Sequence, residues 1–137
     1  MTPELFDSRF LIPANRHGIR VAFVQPRIPD GNYLPNLGIM TLSAILLREG
    51  YDVQVFDENL DGDVVDAIVG FSPALVGFTC VTAAIGATAS MAKRVKAQLP
   101  QVTLMIGGPH LSAVPKETLE TNPIFDFGIT GEGEKPL

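Results

Sequence analysis

"ALVGFTCV", residues 74–81, is the stretch that decides the fold. It is almost wholly apolar, as expected of a central parallel strand covered on both faces. Such a strand needs helices above and below its sheet, and the flanking sequence offers them. Downstream, "TAAIGATASMAKRVKAQLP" (82–100) is the clearest helix, with Lys93, Arg94 and Lys96 towards its C-terminal end and Pro100 beyond. "VTLMIGG" (102–108) reads as the next strand. "SAVPKETLE" (112–120) reads as a short helix with Pro115 in its first turn. "FDFGITGEGE" (125–134) begins as a further strand, expected to end near Gly131.

Upstream the alternation continues. "DVVDAIVGF" (63–71) reads as a short helix that Asp61 or Asp63 can cap. "DVQVFD" (52–57) reads as a strand with Val53, Val55 and Phe56 buried. "LGIMTLSAILLREG" (37–50) places Leu37, Met40, Leu42, Ile45 and Leu46 at helical spacing, with Gly50 where a C-cap glycine belongs. "IPDGNYLPN" (28–36) is a loop, and "RVAFVQP" (20–26) is a strand stopped by Pro26. Residues 1–19 show no clear periodicity and read as a leader or linker before a domain spanning 20–137. The order βαβαβαβαβ is that of a doubly wound parallel sheet, because parallel neighbours require crossovers. "GEGEKPL" stands where one more helix is expected to start, so the final helix reads as truncated.

The bulk properties narrow the function. The 137 residues are one domain by length and large enough for a real core. A net charge of −5 argues against a nucleic-acid backbone or an anionic membrane as partner, since both need a basic face. No run approaches the length of a membrane span, and "MTPELFDSRF" lacks the apolar core of a signal peptide. Cys80 is alone, which rules out an intrachain disulfide or a multi-cysteine metal cluster. A reducing cytoplasm is the default expectation.

The loops at the C-terminal strand ends carry the chemistry, since open α/β sheets bind ligands there. They are "PRIPDGNYLPN", "DENLDG", "TCVTAA", "GGPH" and "TGEGE". Glycine and proline also turn chains with no ligand involved, and the fold alone lines such loops up. The first loop lacks the G-x-G-x-x-G spacing of a dinucleotide site, and a Walker A loop is absent. Thr79-Cys80 stands where a phosphorylatable aspartate would end strand three. His17 reads as solvated, and a lone loop histidine such as His110 is ordinarily a surface residue. Cys80 reads as an inert packed thiol, with nothing cationic beside it in sequence. Asp57, Glu58 and Asp61 could bind a metal, although a solvated cap is the simpler role. These residues make no catalytic constellation.

"PNLGIMTLSAILLREGYDVQVFDEN", "IGGPH" and "DFGITGEGE" together resemble the N-terminal B12-binding domain of cobalamin-dependent radical S-adenosylmethionine enzymes, from about Arg20 to Leu137. The resemblance implies a Rossmann-like, five-stranded parallel sheet in the flavodoxin-like order 2-1-3-4-5. It implies bound cobalamin, and a radical S-adenosylmethionine domain in the same full-length protein. S-adenosylmethionine and a 4Fe–4S cluster would belong to that domain, because C-x-x-x-C-x-x-C is missing here. Asp57-x-Asn59-x-x-Gly62 keeps the outer positions of the D-x-H-x-x-G motif and puts asparagine where the cobalt-ligating histidine stands in another branch of the family. The resemblance therefore implies base-off cobalamin on "DENLDG", Glu58 included, without a histidine ligand.

Thr79, Cys80, Val81 and Thr82 stand where an S-x-L motif contacts the nucleotide tail, and depart from it. Gly107 and Gly108, in the "GGPH" loop with Pro109 and His110, would leave room for the dimethylbenzimidazole base. Gly131, Glu132 and Gly133 would close that pocket, and Tyr33, Leu34 and Pro35 would cover the corrin's edge. The parent reaction implied is methyl transfer or a cyclisation, and the fragment alone is not expected to turn over. Two other readings stay open: a non-enzymatic Rossmann-like module for another nucleotide-like ligand or a partner protein, and a B12 fold that has lost its ligand. The truncated edge is expected to favour self-association.

Overall fold

The computed structural model describes residues 18–27, 37–80, 84–108 and 114–129. Five parallel strands form one sheet in the order β2-β1-β3-β4-β5. They are β1 (Arg20–Gln25), β2 (Asp52–Asp57), β3 (Leu75–Thr79), β4 (Thr103–Gly107) and β5 (Phe127–Gly128). The helices are α1 (Leu37–Arg48), α2 (Glu58–Asp61), α3 (Val65–Phe71), α4 (Ile85–Gln98) and α5 (Pro115–Thr121). The doubly wound parallel sheet expected from the alternation is present in the expected order.

Strand position explains strand composition. The central strands β1, β3 and β4 are buried along nearly their whole length, which is why they read as unbroken apolar runs. One face carries Ala22, Val24, Phe56, Val76, Phe78, Leu104 and Ile106 against Val65 and Ile68 of α3 and Met91, Ala92 and Val95 of α4. The other carries Val21, Phe23 and Met105 against Ile39 and Leu46 of α1. Gly77 lies in β3 on this second face, and the tips of Phe23 and Met105 close over it. Strand β2 is an edge, and there the sequence reading needs correcting. Val55 is 42% exposed rather than buried, because β2 has a neighbour on one side only.

Helix ends follow local chemistry. At the end of α1, Gly50 has φ 97°. Its N–H donates to the Leu47 carbonyl at 3.1 Å while Tyr51 N–H donates to Leu46 at 3.0 Å, the paired bonds of a Schellman stop. Pro115 opens α5, where its missing N–H costs nothing. Helix α3 begins at Val65, later than the 63–71 span expected, and the Asp63 carboxylate accepts the Val65 N–H at 3.0 Å. Asp63 also meets Arg94 of α4 at 2.7 Å, and Lys96 donates to the Val102 carbonyl at 2.6 Å. The basic residues of α4 thus tie the helix to its neighbours as well as facing its negative end.

Strand β5 begins just after a side-chain contact to β4. The Asp126 carboxylate takes the Leu104 N–H at 2.7 Å, and Asp126 N–H donates to the Leu104 carbonyl at 2.8 Å. A side chain does there what a strand carbonyl would otherwise do. The expected strand end near Gly131 lies outside the described residues.

Candidate ligand crevice at the strand ends

The last residues of four strands form one row. Gln25 pairs with Asp57, Thr79 pairs with Gly107, and Val24 pairs with Phe78 one step before. Because side chains alternate along a strand, Gln25, Asp57, Thr79 and Gly107 share the face that α1 covers. The chain leaves β1 towards α1 on one face and leaves β3 towards α4 on the other. This divergence is the switch point where such sheets open a crevice.

"DENLDG" is more than a turn. Residues 58–61 form the single-turn helix α2, and Asp57 is its N-cap. One Asp57 carboxylate oxygen accepts the backbone N–H of Asn59 at 2.8 Å and the Asn59 side-chain amide at 2.9 Å. Asp57 is buried, so it is a cap but not the solvated one the sequence suggested. The same Asn59 amide donates to the Pro26 carbonyl at 3.1 Å, and a Glu58 carboxylate oxygen accepts the Arg27 N–H at 2.9 Å. Gly62 ends α2 with φ 71°, a conformation that favours glycine. No group of three metal-ligating side chains occurs among the described residues.

The two glycines after β4 differ. A β-carbon on Gly107 would meet nothing nearer than the Ile129 carbonyl at 3.5 Å, an ordinary contact. Gly108 has φ 98°, and a β-carbon there would stand 2.7 Å from Thr79 Oγ1 and 2.8 Å from Cys80 N. Among the described residues, Gly107 therefore has room for a β-carbon, while Gly108 is where β4 turns tightly past the end of β3. Cys80 is buried, donates its N–H to the Gly107 carbonyl at 3.0 Å, and extends the ladder by one residue. Burial pushes its thiol pKa up, partly countered by the Thr88 hydroxyl. This fits the inert, packed thiol of the sequence reading.

Of the expected site residues, the structure brings Asp57, Glu58, Asn59, Gly62, Thr79, Cys80, Gly107 and Gly108 to one sheet edge. Tyr33, Leu34, Pro35, Val81, Thr82, Pro109, His110, Gly131, Glu132 and Gly133 lie outside the described residues. Gln25 is a strand-end residue of this row that sequence reasoning passes over. Its signal is a buried glutamine closing an apolar strand immediately before Pro26.

Residues 28–137 match the B12 binding domain family. The chain belongs to that family. This B12-binding domain is 35% identical over 104 residues to an uncharacterised methyltransferase of Pyrococcus horikoshii, covering 73% of this chain and 22% of that protein. It is 28% identical over 114 residues to an anaerobic magnesium-protoporphyrin IX monomethyl ester cyclase of a Synechocystis species, covering 79% of this chain and 23% of that protein. The chain thus spans under a quarter of the length of these relatives. Among solved structures, the fold is similar to the radical S-adenosylmethionine methyltransferase TsrM of Kitasatospora setae, which holds cobalamin and a 4Fe–4S cluster. The TM-score is 0.71 at 20% identity, over 90% of this chain and 23% of that one. A cobalamin-binding protein of Desulfitobacterium hafniense matches with TM-score 0.65 at 16% identity, over 86% of this chain and 55% of that one. Among the described residues no helix is long and apolar enough to cross a membrane.

Proposed function

We propose that this B12-binding domain holds base-off cobalamin in the strand-end crevice, without a histidine ligand, as the cofactor module of a B12-dependent radical S-adenosylmethionine enzyme. The observation that carries the reading is Asn59. By resemblance of sequence it stands where D-x-H-x-x-G has its histidine, and it lies on α2 at the strand ends, within a chain of the B12-binding family. The residues present fit the group. Among the described residues a β-carbon at Gly107 would meet only an ordinary contact, and the strand-end row carries the polar side chains of Gln25, Asp57 and Thr79.

An amide is a poor ligand for soft, reducible cobalt, and imidazole is a good one. With cobalamin bound, Asn59 in place of an imidazole donor would favour reduced, nucleophilic cobalt, the chemistry the cofactor would supply. This chain binds the cofactor and orients it. Methyl transfer is the parent reaction we favour over cyclisation, since the relative at 35% identity is a methyltransferase and the cyclases stand at 28% and 26%. S-adenosylmethionine and the iron–sulfur cluster belong to the partner domain, whose cysteine motif this chain lacks.

Mixing the purified protein with hydroxocobalamin, desalting and recording the visible spectrum tests the reading. A retained corrin spectrum at about one equivalent is expected. A colourless protein overturns it in favour of a fold that has lost its ligand.

A further inference from the structure

The ladder between β1 and β2 ends at the pair Gln25 and Asp57. Pro26 follows, and it has no N–H with which to continue a ladder. Its carbonyl belongs to a buried residue and needs a donor, because an unpaired buried carbonyl costs as much as a lost hydrogen bond. Asn59 supplies that donor from 33 residues away in sequence, and Glu58 takes the Arg27 N–H from 31 residues away.

We propose that Glu58 and Asn59 are positioning residues, forming a polar clasp that ties the chain leaving β1 to the end of β2. The two walls of the crevice then hold a fixed spacing beyond the last strand pair. The chemistry explains the residue types. One amide nitrogen carries two hydrogens directed about 120° apart, so Asn59 serves the Pro26 carbonyl and the Asp57 carboxylate together. Aspartate at this position donates nothing. Histidine offers one hydrogen per ring nitrogen, so it cannot reproduce both bonds from one atom. Position 59 is thereby occupied with holding the crevice together. The effect of the clasp on cobalamin rests on the function proposed above, whereas the clasp itself does not.

Arg27 makes the clasp measurable, since trypsin reaches the bond after Arg27 faster when Pro26 and Arg27 are released from Asn59 and Glu58. The test compares the parent with Asn59→Asp, Asn59→His, Glu58→Ala and Glu58→Gln, all without cobalamin. Cleavage after Arg27 is followed by mass spectrometry beside thermal melts. Two lost hydrogen bonds of ordinary strength correspond to roughly tenfold or more in local opening. We expect at least tenfold faster cleavage after Arg27 in Asn59→Asp, and several-fold in Asn59→His and Glu58→Ala. Glu58→Gln keeps an acceptor oxygen and should cleave at the parent rate. Cleavage after Arg48, at the far end of α1, should stay unchanged in all four.

Parent-like cleavage after Arg27 in folded Asn59→Asp and Glu58→Ala overturns the clasp. Should Asn59→Asp not fold, Glu58→Ala against Glu58→Gln decides alone. Hydroxocobalamin titration then reads the positioning role: at least tenfold weaker binding in the clasp variants supports it, and parent-like affinity overturns it. If no chain binds hydroxocobalamin while Arg27 opens in the variants, the clasp is supported and only the cobalamin reading fails.

Discussion

A β-carbon at Gly108 would lie 2.8 Å from the backbone nitrogen of Cys80, so β4 passes the end of β3 with no room for a side chain. Gly107, one residue earlier, has room for a β-carbon among the described residues. The pair separates two kinds of glycine that the sequence "GG" presents as one: Gly108, fixed by close passage of backbone, and Gly107, which on the proposed function leaves space for the cofactor.

Substitution should therefore split them. Gly108→Ala is expected to lose about 2–3 kcal/mol, from a strained φ and a backbone collision that no rotamer relieves. Gly107→Ala should stay within about 0.5 kcal/mol of the parent by urea denaturation. Gly107→Leu should fold and weaken hydroxocobalamin binding at least tenfold, because its side chain enters the crevice. Parent-like affinity in folded Gly107→Leu would place the nucleotide tail elsewhere.

On the proposed function, cobalt lacks a histidine ligand, because Asn59 offers an amide rather than an imidazole. Electron paramagnetic resonance of the cobalt(II) form should lack nitrogen superhyperfine splitting. The splitting would reveal a coordinated imidazole or benzimidazole and would sink the base-off, histidine-free reading.

Cys80 carries a pH prediction. Burial raises its folded pKa above the unfolded value, so the contribution is present in full below the unfolded thiol pKa. It is lost as pH rises through the folded pKa, because the unfolded chain releases its proton first. Stability should therefore fall on the alkaline side, and Cys80→Ser should flatten that limb of a melting-temperature profile. Iodoacetamide at neutral pH should leave native Cys80 unlabelled over a time in which the urea-unfolded chain reacts fully.

Ser43 lies on the inward side of α1, and its hydroxyl is buried with no hydrogen-bond partner among the described residues. Ser43→Ala removes an unpaired polar group and raises helix propensity. The melting temperature should rise, corresponding to about 1 kcal/mol. A fall would show that the hydroxyl has a partner in solution.

Gly77 tests the packing of the α1 face. A β-carbon there would stand 2.7 Å from the flexible tip of Met105 and 3.0 Å from the Phe23 ring. Met105 can yield and the ring can yield only by shifting, so Gly77→Ala should destabilise by about 1–2 kcal/mol. Pairing it with Met105→Ala should recover part of that loss, a coupling that a double-mutant cycle reads directly.

The sequence by itself determined the parallel sheet, the α1 stop at Gly50 and the placing of "DENLDG" at a strand end. These follow from short-range rules: unbroken apolar runs for covered strands, glycine for a left-handed cap, and proline where an N–H is dispensable. Tertiary structure alone decided what crosses between strands. The exposure of Val55 depends on β2 being an edge. The approach of β5 to β4 includes Asp126 reaching Leu104, and the work of Asn59 depends on Pro26 lying beside it. Each such contact joins residues more than twenty positions apart, and periodicity records which face a residue turns to, not which neighbour it meets there.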